Sequence, residues 1–254
     1  MNGFLAVTPA EAAVILAGLL LGGISKGLIG IALPVIAIAV MGSVIEPHRA
    51  IGIMVFPILT TNIWLALHQG LPALAEPWRR FWPLMAACLV TMLVTATFAT
   101  AYPERLIFFA LGLVMLLFVS MKQLSPHLHL PPAWVGPAGI AAGVFAGLLG
   151  GATSIYGPPI NIYFVALKLD KTMWLRSIGL TYGLCGLPLL VGYSLNGILD
   201  GPTAALSALA CLPAFAGTWI GIKLQRRVSP EAFHRIVLVA LFLAGLNFLR
   251  RALM

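Results

Sequence analysis

Two stretches decide how this chain folds: GGISKGLIGIALP at residues 22–34 and GLLGGATSIYGPP at residues 147–159. Each lies inside an apolar run, residues 9–42 and 133–167, that is too long for a single bilayer crossing. As a straight helix either run would measure about 50 Å at a rise of 1.5 Å per residue, against a hydrocarbon core of about 30 Å. Glycine permits a sharp backbone turn, and proline suits the first turn of a new helix while forbidding continuation of the old one. Each run therefore reads as two half-helices meeting at a break, either crossing fully or forming a re-entrant hairpin.

The rest of the chain supplies the setting. Its 254 residues are 61% hydrophobic and 9% charged, with a mean hydropathy of +1.03. A soluble domain carries roughly 25% charged residues, so this chain lacks the polar surface to sit in water. At about 30 residues per crossing and loop there is room for about eight apolar segments. They fall near 9–42, 48–68, 81–101, 105–121, 133–167, 172–195, 202–222 and 232–249. The fold class is all-α integral membrane, a single transporter domain over 1–254. The N-terminus has no basic region or cleavage site of a removable leader. Thr8-Pro9-Ala10-Glu11 reads instead as a helix start. The net charge of +8 sits in loops, where membrane topology and anionic headgroups account for it; no nucleic-acid partner is implied. Cys88, Cys185 and Cys211 lie far apart in the sequence without ligand spacing and read as packing residues. No metal and no cofactor are expected.

The chain divides in two at a polar, proline-rich linker, 122–132, between repeat 1 (9–121) and repeat 2 (133–250). Gly18, Gly22 and Pro34 recur 125 residues later as Gly143, Gly147 and Pro159; Arg49, Gly52, Gly70, Pro103 and Glu104 recur 127 residues later as Arg176, Gly179, Gly197, Pro230 and Glu231. A shift this constant points to internal duplication, a recurrent transporter architecture. If the two long segments cross fully, loop Lys and Arg divide nine to five between the faces. If they are hairpins the division is ten to four, with Arg49, Arg105, Arg250 and Arg251 on the poorer face. The hairpin arrangement segregates charge better and makes the halves inverted repeats, and in either case both termini lie outside.

Irregular backbone at membrane depth is costly unless its N–H and C=O groups meet protein, water or ligand, so two equivalent breaks mark a binding site. Half-helices starting near Pro34 and Pro159 would aim positive dipole ends at that site, which suits an anion. Lys26 is the one charged side chain well inside an apolar segment, and no Asp or Glu lies in the break beside it. Either the substrate is its counter-ion, or it snorkels or caps helix carbonyls. The break glycines Gly27, Gly30, Gly150 and Gly151 and the polar Ser25, Thr153, Ser154, Tyr156 and Asn161 complete the candidate site. The hydroxyls either donate to oxyanion oxygens or patch freed backbone groups. Asn62, in Thr60-Thr61-Asn62, and His48, His68, Arg49 and Arg176 are candidates for a pathway, against plainer interhelical or interfacial roles. No intramembrane carboxylate is present, which favours transport down a gradient or coupling through His or the substrate's own protonation. Neither His-Glu-x-x-His nor Gly-x-Ser-x-Gly occurs, so no enzyme is expected.

The two glycine-then-proline breaks, the four-segment repeat and the length together resemble the sulfite exporter TauE/SafE family over essentially the whole chain. That resemblance implies a bacterial-type inner-membrane permease exporting sulfite or organosulfonates. A permease for another small anion or a neutral metabolite is the alternative. The implied partners are a small anionic substrate and the lipid bilayer, with a homodimer left open.

Overall fold

The computed structural model describes residues 7–30, 32–67, 70–124, 129–224 and 230–254. Every regular element among them is helical. Six stretches are long and apolar enough to cross a membrane: Pro9–Leu28, Pro47–Leu67, Leu71–Thr97, Pro132–Thr153, Thr172–Leu195 and Gly201–Leu224. The protein is a multi-pass membrane protein.

Helix α1 (Pro9–Ile29) starts where its sequence dictates. Glu11 N–H donates to Thr8 Oγ1 at 3.2 Å and Thr8 N–H donates back to Glu11 Oε2 at 2.8 Å, with Pro9 in the first turn. It ends at Gly30, whose φ of 81° is left-handed and whose N–H closes on Lys26 O at 2.8 Å. Ala32 is also left-handed, at φ 79°, and Pro34 stands in the first turn of α2 (Leu33–Met41). A side chain at left-handed φ costs about 1–2 kcal/mol, so this turn is held by its surroundings. The next crossing is kinked: α3 (Pro47–Ile53) gives way at Met54 to α4 (Val55–Leu67). Ser207 bridges the kink, donating to Ile53 O at 2.9 Å and accepting Phe56 N–H at 3.0 Å. Pro57 announces this kink, since it has no N–H to give to Ile53 O and its ring crowds that carbonyl; a serine 150 residues downstream takes up the freed oxygen.

Helices α5 (Ala75–Thr97) and α6 (Glu104–Leu124) complete the first half. The second opens with α7 (Val135–Thr153), which stops at Ser154, φ 59°, its N–H on Gly150 O at 2.7 Å. Then α8 (Gly157–Ala166) begins with Pro158 and Pro159. Helices α9 (Lys171–Leu195), α10 (Gly201–Leu224) and α11 (Pro230–Leu253) follow.

Both broken segments go out and come back. Arg49, in the first turn of α3 after α2 has returned, pairs with Glu11 at the start of α1, 3.5 Å apart. Leu130, before α7, donates its N–H to Ala166 O at the end of α8, at 3.3 Å. Arg251 donates to Gly42 O and Arg105 to Met254 O, so the start of α1 and the C-terminus share one end of the bundle. The long arms are nevertheless full-length, and this places the breaks off-centre. The first lies beside Thr218–Ile222 near the C-terminal end of α10. The second lies beside Thr95 and Ala96 at the end of α5, which Asn196 ties to the start of α10 through a 2.6 Å bond to Ala96 O. The breaks thus lean toward opposite ends of the bundle rather than meeting at one level.

Besides the α1–α2 hairpin, five pairings build the core: α1 on α10, α5 on α7, α6 on α11, α5 on α9 and α4 on α9. Glycine faces let the first two approach closely. A Cβ on Gly27 would lie 2.2 Å from Thr218 O, and one on Gly143 2.3 Å from Leu84 O. Between lipid-immersed helices such packing replaces the hydrophobic effect as the cohesive force. Cys88 of α5 and Cys185 of α9 meet as buried thiols, Sγ to Sγ 3.2 Å.

Loop caps contribute as well. Asp200 accepts the Thr203 N–H at 2.9 Å, and hydrogen bonds from Thr203 hold its carboxyl below the usual carboxylate range. The cap is thus fully formed above the unfolded-state pKa of about 3.9 and is lost as pH falls through the lowered folded value. Asp200→Ala should cost about 1 kcal/mol at neutral pH, read as a lower melting temperature in detergent that converges with wild type in acid.

Candidate anion site

One cavity gathers the polar residues of both halves. It is lined by Lys26 and Gly30 of the first break, Ala32 to Val35 of α2, Thr61 and Asn62 of α4, and Tyr156, Gly157 and Asn161 at the second break and α8. Tyr182 of α9, Ile58 of α4 and Phe118 of α6 close it. Its volume is about 20 Å³, room for about one or two water molecules. The pocket is narrow, and an oxyanion of four heavy atoms must widen it on entering.

Lys26 is buried, and its ammonium donates to Thr61 Oγ1 at 2.9 Å and Asn62 Oδ1 at 2.5 Å. The Thr61 hydroxyl in turn donates to Pro57 O at 2.6 Å. Both acceptors are neutral. Among the described residues the lining holds no carboxylate and Lys26 makes no ion pair. Two neutral oxygens do not offset the cost of burying a charge, so the ammonium, with its third N–H, is the form that an entering anion stabilises. The alternatives of snorkelling or capping are set aside by this geometry, since Lys26 points to side chains of α4.

Asn161, one turn into α8, is buried with neither Oδ1 nor Nδ2 in a hydrogen bond. A buried amide with both ends unmet costs on the order of 1–3 kcal/mol per group, so a ligand or water is the expected partner. The tyrosines frame it: Tyr156 OH donates to Tyr182 O at 3.1 Å, Tyr182 OH to Gly157 O at 3.2 Å, and the rings meet edge to face at 5.2 Å.

The helix ends contribute less charge than the sequence suggests. At each break a C-terminal helix end lies beside the N-terminal one, so opposite partial charges offset. Pro34, Pro158 and Pro159 each remove an N–H from the starting turns of α2 and α8. Those ends supply a few donors, and Lys26 supplies the positive charge.

The other expected residues lie elsewhere. Ser25 is buried outside this lining, its hydroxyl without a partner. Gly27 packs on α10, Gly150 on Met92 and Tyr156, and Gly151 on Thr95. Thr153 donates to Leu149 O at 2.6 Å and accepts Ile155 N–H at 3.2 Å. Ser154 lies 3.2 Å from both Ile51 O and Tyr193 OH. Of the two roles open to these hydroxyls, the bonds are those of backbone patching. His48 and Arg49 line a separate polar recess at the terminal end with Glu46, Asn196 and Asp200. There His48 Nδ1 lies 2.7 Å from Glu46 Oε1. Arg176 lies in the first turns of α9, outside the cavity. His68 lies outside the described residues. Thr61 and Tyr182 join the site without having been singled out. Thr61 was legible as the neighbour of Asn62, whereas only the packing of α9 against α4 and α8 reveals Tyr182.

An all-helical membrane protein with paired broken helices around a buried cation has the build of a transporter for a small solute. Residues 14–248 match the family described as Sulfite exporter TauE/SafE, and the chain belongs to that family of membrane transporters. No curated protein and no solved structure matches the chain.

Proposed function

We propose that this protein is a secondary transporter exporting a small sulfur-containing oxyanion, sulfite or an organosulfonate, across the inner membrane, with the Lys26–Asn161 cavity as its substrate site. The observation that carries the reading is Lys26: a buried amine held by neutral oxygens, with no carboxylate beside it among the described residues. An anion that enters completes its coordination, and the amide of Asn161 orients what enters. The halves are inverted repeats, each presenting one broken segment to the shared cavity. Supporting this, α1 packs on α10 as α7 packs on α5, and Gly70 and Gly197 share φ 81°. The termini face outward, because the basic loops cluster at the opposite end.

The test is counterflow of labelled sulfite in proteoliposomes, with taurine-like sulfonates, nitrate and a neutral sugar as competitors. Saturable sulfite flux inhibited by sulfonates and not by the sugar is the expected result. Equal inhibition by the neutral competitor would favour a permease for neutral metabolites instead.

A further inference from the structure

We infer that the cavity takes its oxyanion in the singly charged form that still carries an O–H, hydrogen sulfite rather than the sulfite dianion. This rests on the oxyanion reading above and narrows it.

Charge comes first. The lining holds one ammonium and, among the described residues, no other cation. The helix ends largely offset each other. A monoanion therefore leaves a cavity with a protonated Lys26 neutral, whereas a dianion leaves one uncompensated charge in low dielectric, which burial opposes.

Hydrogen bonding is the second, independent argument. A fully deprotonated oxyanion only accepts. Asn161 offers an unmet donor and an unmet acceptor together, both buried, and this holds whichever way its amide is turned. A ligand that satisfies both ends at once accepts from Nδ2 and donates to Oδ1. The protonated oxyanion does both, and its remaining oxygens accept the third N–H of Lys26.

The consequence is mechanistic. Each anion carries its own proton through the membrane, so proton movement needs no intramembrane Asp or Glu. Among the described residues the ionisable groups facing the cavity are Lys26 of α1, Tyr156 before α8 and Tyr182 of α9, with the thiols of Cys88 on α5 and Cys185 on α9 close to the tyrosines.

The experiment measures initial flux against pH in proteoliposomes for three probes. Sulfite and selenite are both pyramidal, and selenite loses its second proton at higher pH. Methanesulfonate is a permanent monoanion without an O–H. Flux of sulfite and selenite should each fall about tenfold per pH unit above its own second dissociation, with the selenite curve displaced upward. Methanesulfonate flux should be weaker and flat. Asn161→Leu should raise the apparent KM for hydrogen sulfite about tenfold while changing that for methanesulfonate far less, and Asn161→Gln should restore part of the loss.

Superimposed curves for the two oxyanions would mean that a protein group sets the profile, and would overturn the inference. So would flux that rises with the dianion, or an Asn161→Leu loss equal for all probes. Each of these leaves oxyanion transport intact. If none of the three moves or competes, the oxyanion reading itself fails and takes this refinement with it.

Discussion

Lys26→Glu is expected to abolish oxyanion flux, a loss of at least about a hundredfold, because it turns the cavity's one attraction for an anion into repulsion in low dielectric. The new carboxylate would also face Thr61 Oγ1 and Asn62 Oδ1, which accept from the ammonium in the wild type. Local repacking is thus expected, and Lys26→Met serves as the companion variant. It removes the charge with little change of volume and should retain the fold while losing most of the flux. Lys26→Arg keeps the charge but brings a longer, planar head to the Thr61 and Asn62 oxygens, which one ammonium satisfies in the wild type, so it should retain only a fraction. Flux assays paired with melting temperatures in detergent separate these effects. Wild-type kinetics in Lys26→Met would remove the lysine from the transport site.

The second large effect concerns stability. Gly27→Val should prevent assembly of the bundle or lower its melting temperature severely. A Cβ there would sit 2.2 Å from Thr218 O and 2.8 Å from Gly221 Cα and Ile222 N, all backbone of α10. No side-chain rotation relieves such a clash, so α1 must move away from α10. Overpacking in a tight core costs about 1–3 kcal/mol, and a clash with backbone lies at or beyond the upper end. Helix propensity argues the other way: replacing a helical glycine by alanine gains up to about 1 kcal/mol. Gly27→Ala should still destabilise, because even one methyl group meets the same oxygen. The contrast is Gly136→Ala in α7, where nothing lies within 4 Å; it should be neutral or mildly stabilising. Thermal melts of the three variants check the ordering, and a Gly27→Ala protein as stable as wild type would refute the close α1–α10 approach.

The breaks show how much of this was legible in advance. Gly30, Pro34 and the Pro158-Pro159 pair specify where a helix must stop and another start, since φ and the missing N–H are local properties. Lys26 stood out because a charge in an apolar run needs an explanation whatever surrounds it. The fate of the hydroxyls was not legible. Thr153 and Ser154 have the chemistry to bind an oxyanion, yet their bonds go to Leu149 O, Ile155 N–H and Ile51 O. Which of the two uses a hydroxyl adopts depends on where its neighbours' carbonyls end up. Arg49 similarly meets Glu11 at the bundle's end, a pairing that their positions in the chain do not reveal, whereas the contact of His48 with Glu46 two residues before it is a local helix cap.

By itself the sequence determined that the chain lives in a bilayer, that two of its segments are interrupted, and that one interruption carries an unneutralised lysine. These follow from composition and backbone stereochemistry, which act over a few residues. Only the tertiary structure decided that the interruptions lean toward opposite ends, that Asn62, Tyr182 and Asn161 close one cavity with Lys26, and that the glycines are helix contacts. Those outcomes depend on how helices distant in sequence pack, because a residue's partner across an interface is set by the register of two whole helices rather than by the residue.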